Sequence, residues 1–133
     1  MKIKLDFVSN SSSTSFVYIS DTELTIDQFL ESVGVDKDGP VGDLFCDMYN
    51  ELHNAIVNYG KPIKTEDEVN ALLGSYEFTP DVIDKMKDGI ANGKNIITSS
   101  LSSEGEFAES LLCMTVFEIN SEHFYINAYN NYW

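Results

Sequence analysis

Asp43, Asp47 and Glu51 recur at every fourth position. In a helix that spacing stacks the three carboxylates along one face, about 6 Å apart. Asn50, Asn54 and Asn58 interleave with them, and the stretch from 41 to 59 carries no lysine to offset the repulsion. A row of negative charge with flanking amides imitates a nucleic-acid backbone. It would attract the Lys and Arg of a basic groove by the electrostatics that steer nucleic acid itself. The plainer alternative is a solvated helix face in an acidic protein. Asp36 and Asp38 extend the row at its N-terminal side. From Asp21 to Glu51 there are nine acidic residues and a single base, Lys37.

Other chemistries fit less well. Asp36-Lys-Asp38-Gly39 has the opening of a calcium loop, but the sixth place, which needs Gly, holds Val41, and the twelfth, which needs Glu, holds Asp47. A turn before a helix is the better reading. His53 and His123 stand in no zinc spacing with Cys46 or Cys113. The chain contains no G-x-S-x-G elbow, no P-loop and no G-x-G-x-x-G. The sequence therefore points to no catalytic residue, no cofactor and no metal.

The bulk composition agrees with a binding role. The chain has 133 residues, 22 acidic against 8 basic, and a net charge of −14. All eight basic residues are lysines. Such a balance opposes contact with nucleic acid or an anionic membrane, and it leaves two readings open: solubility, or a basic protein partner. Hydrophobic residues make up 43%, enough for a core, so one domain over 1–133 is expected. No apolar run reaches the roughly 18 residues of a membrane span. The alternating start, Met1 to Val8, does not read as a signal peptide. A cytoplasmic protein with reduced Cys46 and Cys113 is expected.

The elements that would position these residues follow from periodicity. Residues 2–8 and 15–19 read as strands joined across the polar 9–14 segment, that is, as a hairpin. Thr25 to Gln28 has the form of a capping box, opening a short helix that stops at Gly34. Val41, Leu44, Phe45, Met48, Leu52, Ala55, Ile56 and Tyr59 recur at helical spacing and define a long helix over about 41–59, with Pro40 at its entry. Leu44, Phe45, Met48, Leu52 and Ile56 are its expected core residues. Thr65 to Glu68 opens a third helix ending at Gly74, and Thr79-Pro80 a fourth ending at Gly93. Strands are expected at 95–101, 114–119 and 123–129, the last two as a hairpin. The order implies an α+β fold: a mainly antiparallel sheet, formed by an N-terminal hairpin and C-terminal strands, packed with about four helices. Tyr129, Tyr132 and Trp133 place three large aromatics in the last five residues, and Trp133 is expected to pack on its own domain or across a dimer contact.

The run Phe7-Val8-Ser9-Asn10-Ser11-Ser12-Ser13-Thr14-Ser15-Phe16 resembles an N-terminal box shared by many small proteins of bacteria and their phages that have no assigned activity. The resemblance covers about an eighth of the chain. It implies a bacterial or phage origin and an N-terminal hairpin, and no activity. The acidity, small size and lack of catalytic motifs also look like phage anti-CRISPR proteins and nuclease-immunity proteins, a likeness of type that assigns no residue.

The expectation is thus a small acidic binding protein that mimics nucleic acid and occupies a basic surface of a nucleic-acid-handling protein through Asp43, Asp47 and Glu51, supported by Asp36 and Asp38. The alternative is a structural or homodimerising domain whose acidity serves solubility. A continuous exposed ridge of carboxylates would favour the first reading and an exposed apolar patch the second. A cleft gathering a histidine with carboxylates or serines would instead favour an enzyme.

Overall fold

The computed structural model describes residues 2–7, 13–72, 78, 80–102, 115–121 and 124–127. Ser9 to Ser12 of the polar connection, Cys113, His123, Tyr129, Tyr132 and Trp133 lie outside the described residues, and with them the expectation of a packed C-terminus.

Among the described residues, six strands and four helices alternate in blocks. β1 (Lys2–Phe7) and β2 (Ser13–Ser20) precede α1 (Ile26–Val33) and α2 (Gly42–Asn58). A two-residue β3 (Lys61–Pro62) leads to α3 (Glu66–Leu72) and α4 (Pro80–Ala91). β4 (Asn95–Ser102), β5 (Thr115–Asn120) and β6 (Phe124–Asn127) follow. The strands form one antiparallel sheet in the order β1-β5-β6-β2-β4-β3. The α+β class and the four helices agree with the sequence.

The N-terminal hairpin does not form. β1 pairs with β5, from Lys2 opposite Asn120 to Phe7 opposite Thr115, while β2 pairs with β4 and β6. Two strands therefore lie between β1 and β2. The C-terminal hairpin does form, with Ile119 opposite Ile126. There Ser121 closes the turn, its backbone N–H and its hydroxyl both donating to the Phe124 carbonyl.

Helices cover both faces of the sheet, because the central strands are apolar on both sides. Phe16 and Tyr18 of β2, Leu101 of β4, and Phe124 and Ile126 of β6 pack under Phe29, Leu30, Met48, Leu52 and Ile56 of α1 and α2. The alternate residues Val17, Ile19, Ile96 and Tyr125 pack under Val69 of α3 and Val82, Ile83 and Met86 of α4. Strand alternation thus feeds two cores from one set of strands. Phe16, Leu52, Met86 and Ile126 are all fully buried.

Helix ends follow local chemistry. Thr25 Oγ1 accepts the Gln28 N–H at 3.2 Å, and Gly34 closes α1 in the left-handed region at φ 70°. There the Gly34 N–H donates to the Glu31 carbonyl and the Val35 N–H to the Leu30 carbonyl, satisfying the last turn. Gly93, at φ 72°, ends α4 in the same way, with Lys94 N–H donating to the Gly89 carbonyl at 2.9 Å. Thr65 caps α3 by accepting from Glu68 N–H, and the Glu68 carboxylate accepts from Lys64 N–H. α2 departs from expectation at its start. Its N-cap is Val41, which offers no side-chain acceptor, and Pro40 lies in the preceding turn. Gly42 is needed there because a Cβ would stand 2.0 Å from the Lys37 carbonyl oxygen.

Candidate functional site

On α2, Met48, Leu52 and Ile56 are buried, whereas Leu44 and Phe45 are half-buried and Val41 and Tyr59 are exposed. The helix docks through its middle and leaves its ends proud of the sheet. Its acidic face follows from that docking. Asp43 and Asp47 are exposed, as are Asn50, Asn54 and Asn58. Glu51 is half-buried and has an interaction of its own, so the free row is Asp43 and Asp47. Like charges a helical turn apart repel, and no lysine of α1 or α2 relieves them.

The charge continues beyond α2. Asp27 and Glu31 of α1 are exposed, and so are Asp36 and Asp38 of the α1–α2 connection. In that connection Asp36 Oδ1 accepts the Asp38 N–H at 3.0 Å and its carbonyl accepts the Gly39 N–H at 3.0 Å. This is the turn expected from the sequence. None of Asp27, Glu31, Asp36, Asp38, Asp43 and Asp47 has an ion-pair partner among the described residues. Of the five predicted contact residues, Asp36, Asp38, Asp43 and Asp47 are exposed, and Glu51 is half-buried.

A second feature was not legible in the sequence. A half-open cleft of about 700 Å³ lies where the C-terminal ends of α2 and α4 meet β3 and the start of β4. His53 lies on its α2 wall, its Nε2 3.5 Å from Glu23 Oε1, with the Tyr49 ring at 5.4 Å from the imidazole. Four of the hydroxyls nearby are already engaged with backbone. Tyr49 donates to the Leu24 carbonyl at 3.0 Å, and Tyr18 donates to the Thr22 carbonyl at 2.9 Å. Ser20 also donates to Thr22 O, and Ser99 donates to the Ala55 carbonyl at 2.8 Å. Burial pushes the Tyr18 and Tyr49 hydroxyls up from the ordinary tyrosine value. His53 makes no hydrogen bond to a hydroxyl among the described residues, so no nucleophile–base pair is assembled around it. Nor, among those residues, do three or more His, Cys, Asp or Glu side chains gather as for a metal.

Comparison with family models, with curated proteins and with solved structures yields no match.

Among the described residues, the exposed large apolar ones are Val41, Val57 and Tyr59. Val57 lines the cleft, and all three stand at the two ends of α2 rather than in one broad patch. Cys46, half-buried on α2, is a free thiol. No helix of the described residues is long and apolar enough to cross a membrane.

Proposed function

We propose that this is a small acidic binding protein, acting in the cytoplasm, that uses the α1–α2 side to occupy a basic, nucleic-acid-handling surface of another protein. It acts by binding rather than by catalysis, as anti-CRISPR and nuclease-immunity proteins do. One observation carries the reading: Asp27, Glu31, Asp36, Asp38, Asp43 and Asp47, all from α1, α2 and the connection between them, are exposed, with no ion pairs among the described residues. The lysines of the helical segments are on α4 instead, as Lys85 and Lys87. Unpaired charge held on a rigid helix raises association rates toward an oppositely charged groove, and its loss is felt mainly in the on-rate.

The test starts from a partner captured from a bacterial lysate that itself binds DNA. The wild type should compete with DNA for that partner, and binding should fade as salt rises toward half molar. D43N/D47N should slow association by about tenfold while the fold is retained. Addition of E51N should change little more, since Glu51 is only partly exposed. Unchanged affinity in folded D43N/D47N would end this reading and leave the structural or homodimerising domain, for which acidity serves solubility.

A further inference from the structure

The cleft at the far end of α2 is a different surface from the acidic row. Fourteen residues separate Asp43 from Val57, which is about 20 Å of helix. Its floor is apolar, built from Leu24, Ile56, Ile63 and Ile97, and two lysines, Lys64 and Lys94, stand on its lining. We propose that this cleft binds a small amphipathic anion, with a carboxylate or phosphate head between Lys64 and Lys94 and an apolar body on the isoleucine floor.

Three observations carry the assignment. The volume, about 700 Å³, falls within the range of small-molecule sites, and such sites combine an apolar lining with a few polar groups. The lysines sit on hydrogen-bonded backbone rather than on free loops. Ile63 N–H donates to the Ile96 carbonyl at 2.8 Å, tying the segment before Lys64 to the segment after Lys94. Lys94 itself is held by its N–H bond to Gly89, and Lys64 by its N–H bond to Glu68. Finally, charge is complementary in a directed way. In a chain of net charge −14, two of eight lysines line one cleft. Glu23 beside His53 on the α2 wall would repel an anionic head placed there. On the lysine side, the one carboxylate hydrogen-bonded next to Lys64 among the described residues is Glu68, whose Oε1 accepts the Lys64 N–H. The head is thereby directed to the lysines, and the body to Ile56, Ile63 and Ile97.

The shape of the cleft depends on Gly60. A Cβ there would stand 2.2 Å from the Ile56 carbonyl oxygen and 2.5 Å from Ile97 Cγ2. The chain leaving α2 therefore hugs β4 before turning into β3, and the cleft opens beside that bend.

Calorimetric titration with decanoate, decyl phosphate and decanol, each below its aggregation limit, tests the proposal. Saturable one-to-one binding of at least one anion, about tenfold tighter than decanol, is the expected result. The tighter of the two anions identifies the head group. K64Q/K94Q should remove the preference for the anion and leave decanol binding unchanged, while V57W, which fills the cleft from its exposed rim, should lose all three. In amide NMR spectra the Gly60 and Gly93 signals should move on addition of the anion. Absence of saturable binding, equal affinity for decanol in the wild type, or an anion preference that survives K64Q/K94Q would overturn the proposal. So would shifts confined to the N-terminal half of α2. The outcome is independent of partner binding, because Asp43 and Asp47 take no part in it.

Discussion

The two helical layers of this protein bury apolar surface in the same way and present charge in opposite ways. On one face of the sheet α1 and α2 pack Phe29, Leu30, Met48, Leu52 and Ile56. On the other, α3 and α4 pack Val69, Val82, Ile83 and Met86. Outside these cores the layers diverge. Between Asp21 and Glu51 nine acids face one lysine, whereas between Lys61 and Lys94 seven acids accompany five lysines. Core formation demands only that apolar residues recur at the right period, so both layers satisfy it. Surface charge is free of that demand. Its segregation onto one layer is the feature that a packing requirement does not explain.

The buried and half-buried tyrosines show the same contrast. On the α1–α2 side, Tyr18 and Tyr49 anchor to backbone carbonyls. On the other side, Tyr125 donates to Glu118 Oε2 at 2.7 Å, Asn127 donates to the same oxygen at 3.2 Å, and Lys85 stands 4.7 Å over the Tyr125 ring. Charged groups there are drawn into local structure. On the acidic layer Asp27, Glu31, Asp43 and Asp47 are left outside it, while Asp36 closes a turn and Glu23 meets His53.

The largest expected effect tests whether the layers are equal in packing. Leu52→Ala and Met86→Ala should each cost about 2–5 kcal/mol, since both side chains are fully buried. Urea unfolding followed by far-ultraviolet circular dichroism gives the values. A Met86→Ala cost below about half a kcal/mol beside a full Leu52→Ala cost would break the symmetry. It would also show that α4 docks loosely.

Next comes the polar cluster on the α3–α4 side. Glu118→Ala leaves the buried Tyr125 hydroxyl and the Asn127 amide without their shared acceptor, at an expected cost of about 1–3 kcal/mol. The tyrosines also set an alkaline limit. Tyr125 is pushed well above the ordinary value by burial and then by Glu118, and burial raises Tyr18 and Tyr49. A hydroxyl whose folded pKa is raised favours the native state fully below the unfolded value, near 10. That contribution is lost as pH climbs through and beyond 10, because the unfolded chain releases the proton first. Absorbance at alkaline pH should therefore show Tyr125 and Tyr18 ionising together with unfolding, with the half-buried Tyr49 delayed less. Smooth ionisation of all seven tyrosines in a folded protein would contradict the burial.

Much of this architecture could be read from the chain, and the parts that could not share a cause. The cap at Thr25, the stops at Gly34 and Gly93 and the apolar stripe of α2 are local, and local chemistry specifies them. Strand partners are not local. The alternation in β1 marks a strand but says nothing of its neighbour, and its actual partner, β5, begins more than a hundred residues later. Proximity along the chain made a hairpin with β2 the simpler expectation. β3 was missed because two residues, one of them proline, carry no period; proline is tolerated there because β3 is an edge strand. The acidic row was legible because it lies on one helix at one spacing. The cleft was not, since Glu23, His53, Lys64 and Lys94 come from four separate segments. Exposure of Val41 and Tyr59 was invisible for a related reason: periodicity says which way a residue points, not where the helix overhangs its support.

The smallest expected effect discriminates most sharply between the layers. Asp47 has a like charge one turn away on either side, Asp43 and Glu51, so Asp47→Asn removes two repulsions of about 0.2–0.5 kcal/mol each. Asp and Asn have similar helix propensities, and position 47 is too far into α2 for its charge to benefit from the helix N-terminus. The variant should therefore be more stable by roughly half a kcal/mol at low salt, and added salt should shrink the gain. Asp81 on α4 is the counterpart with the opposite sign. It lies in the first turn of its helix, four residues before Lys85, so Asp81→Asn loses a favourable dipole contact and a favourable pair, and should destabilise by about the same amount. Thermal melting of the two variants at low and high salt makes the comparison. If Asp47→Asn destabilises instead, Asp47 holds a contact within its own domain. The acidic layer would then be tied into the fold as the other layer is, and no longer free to meet a partner.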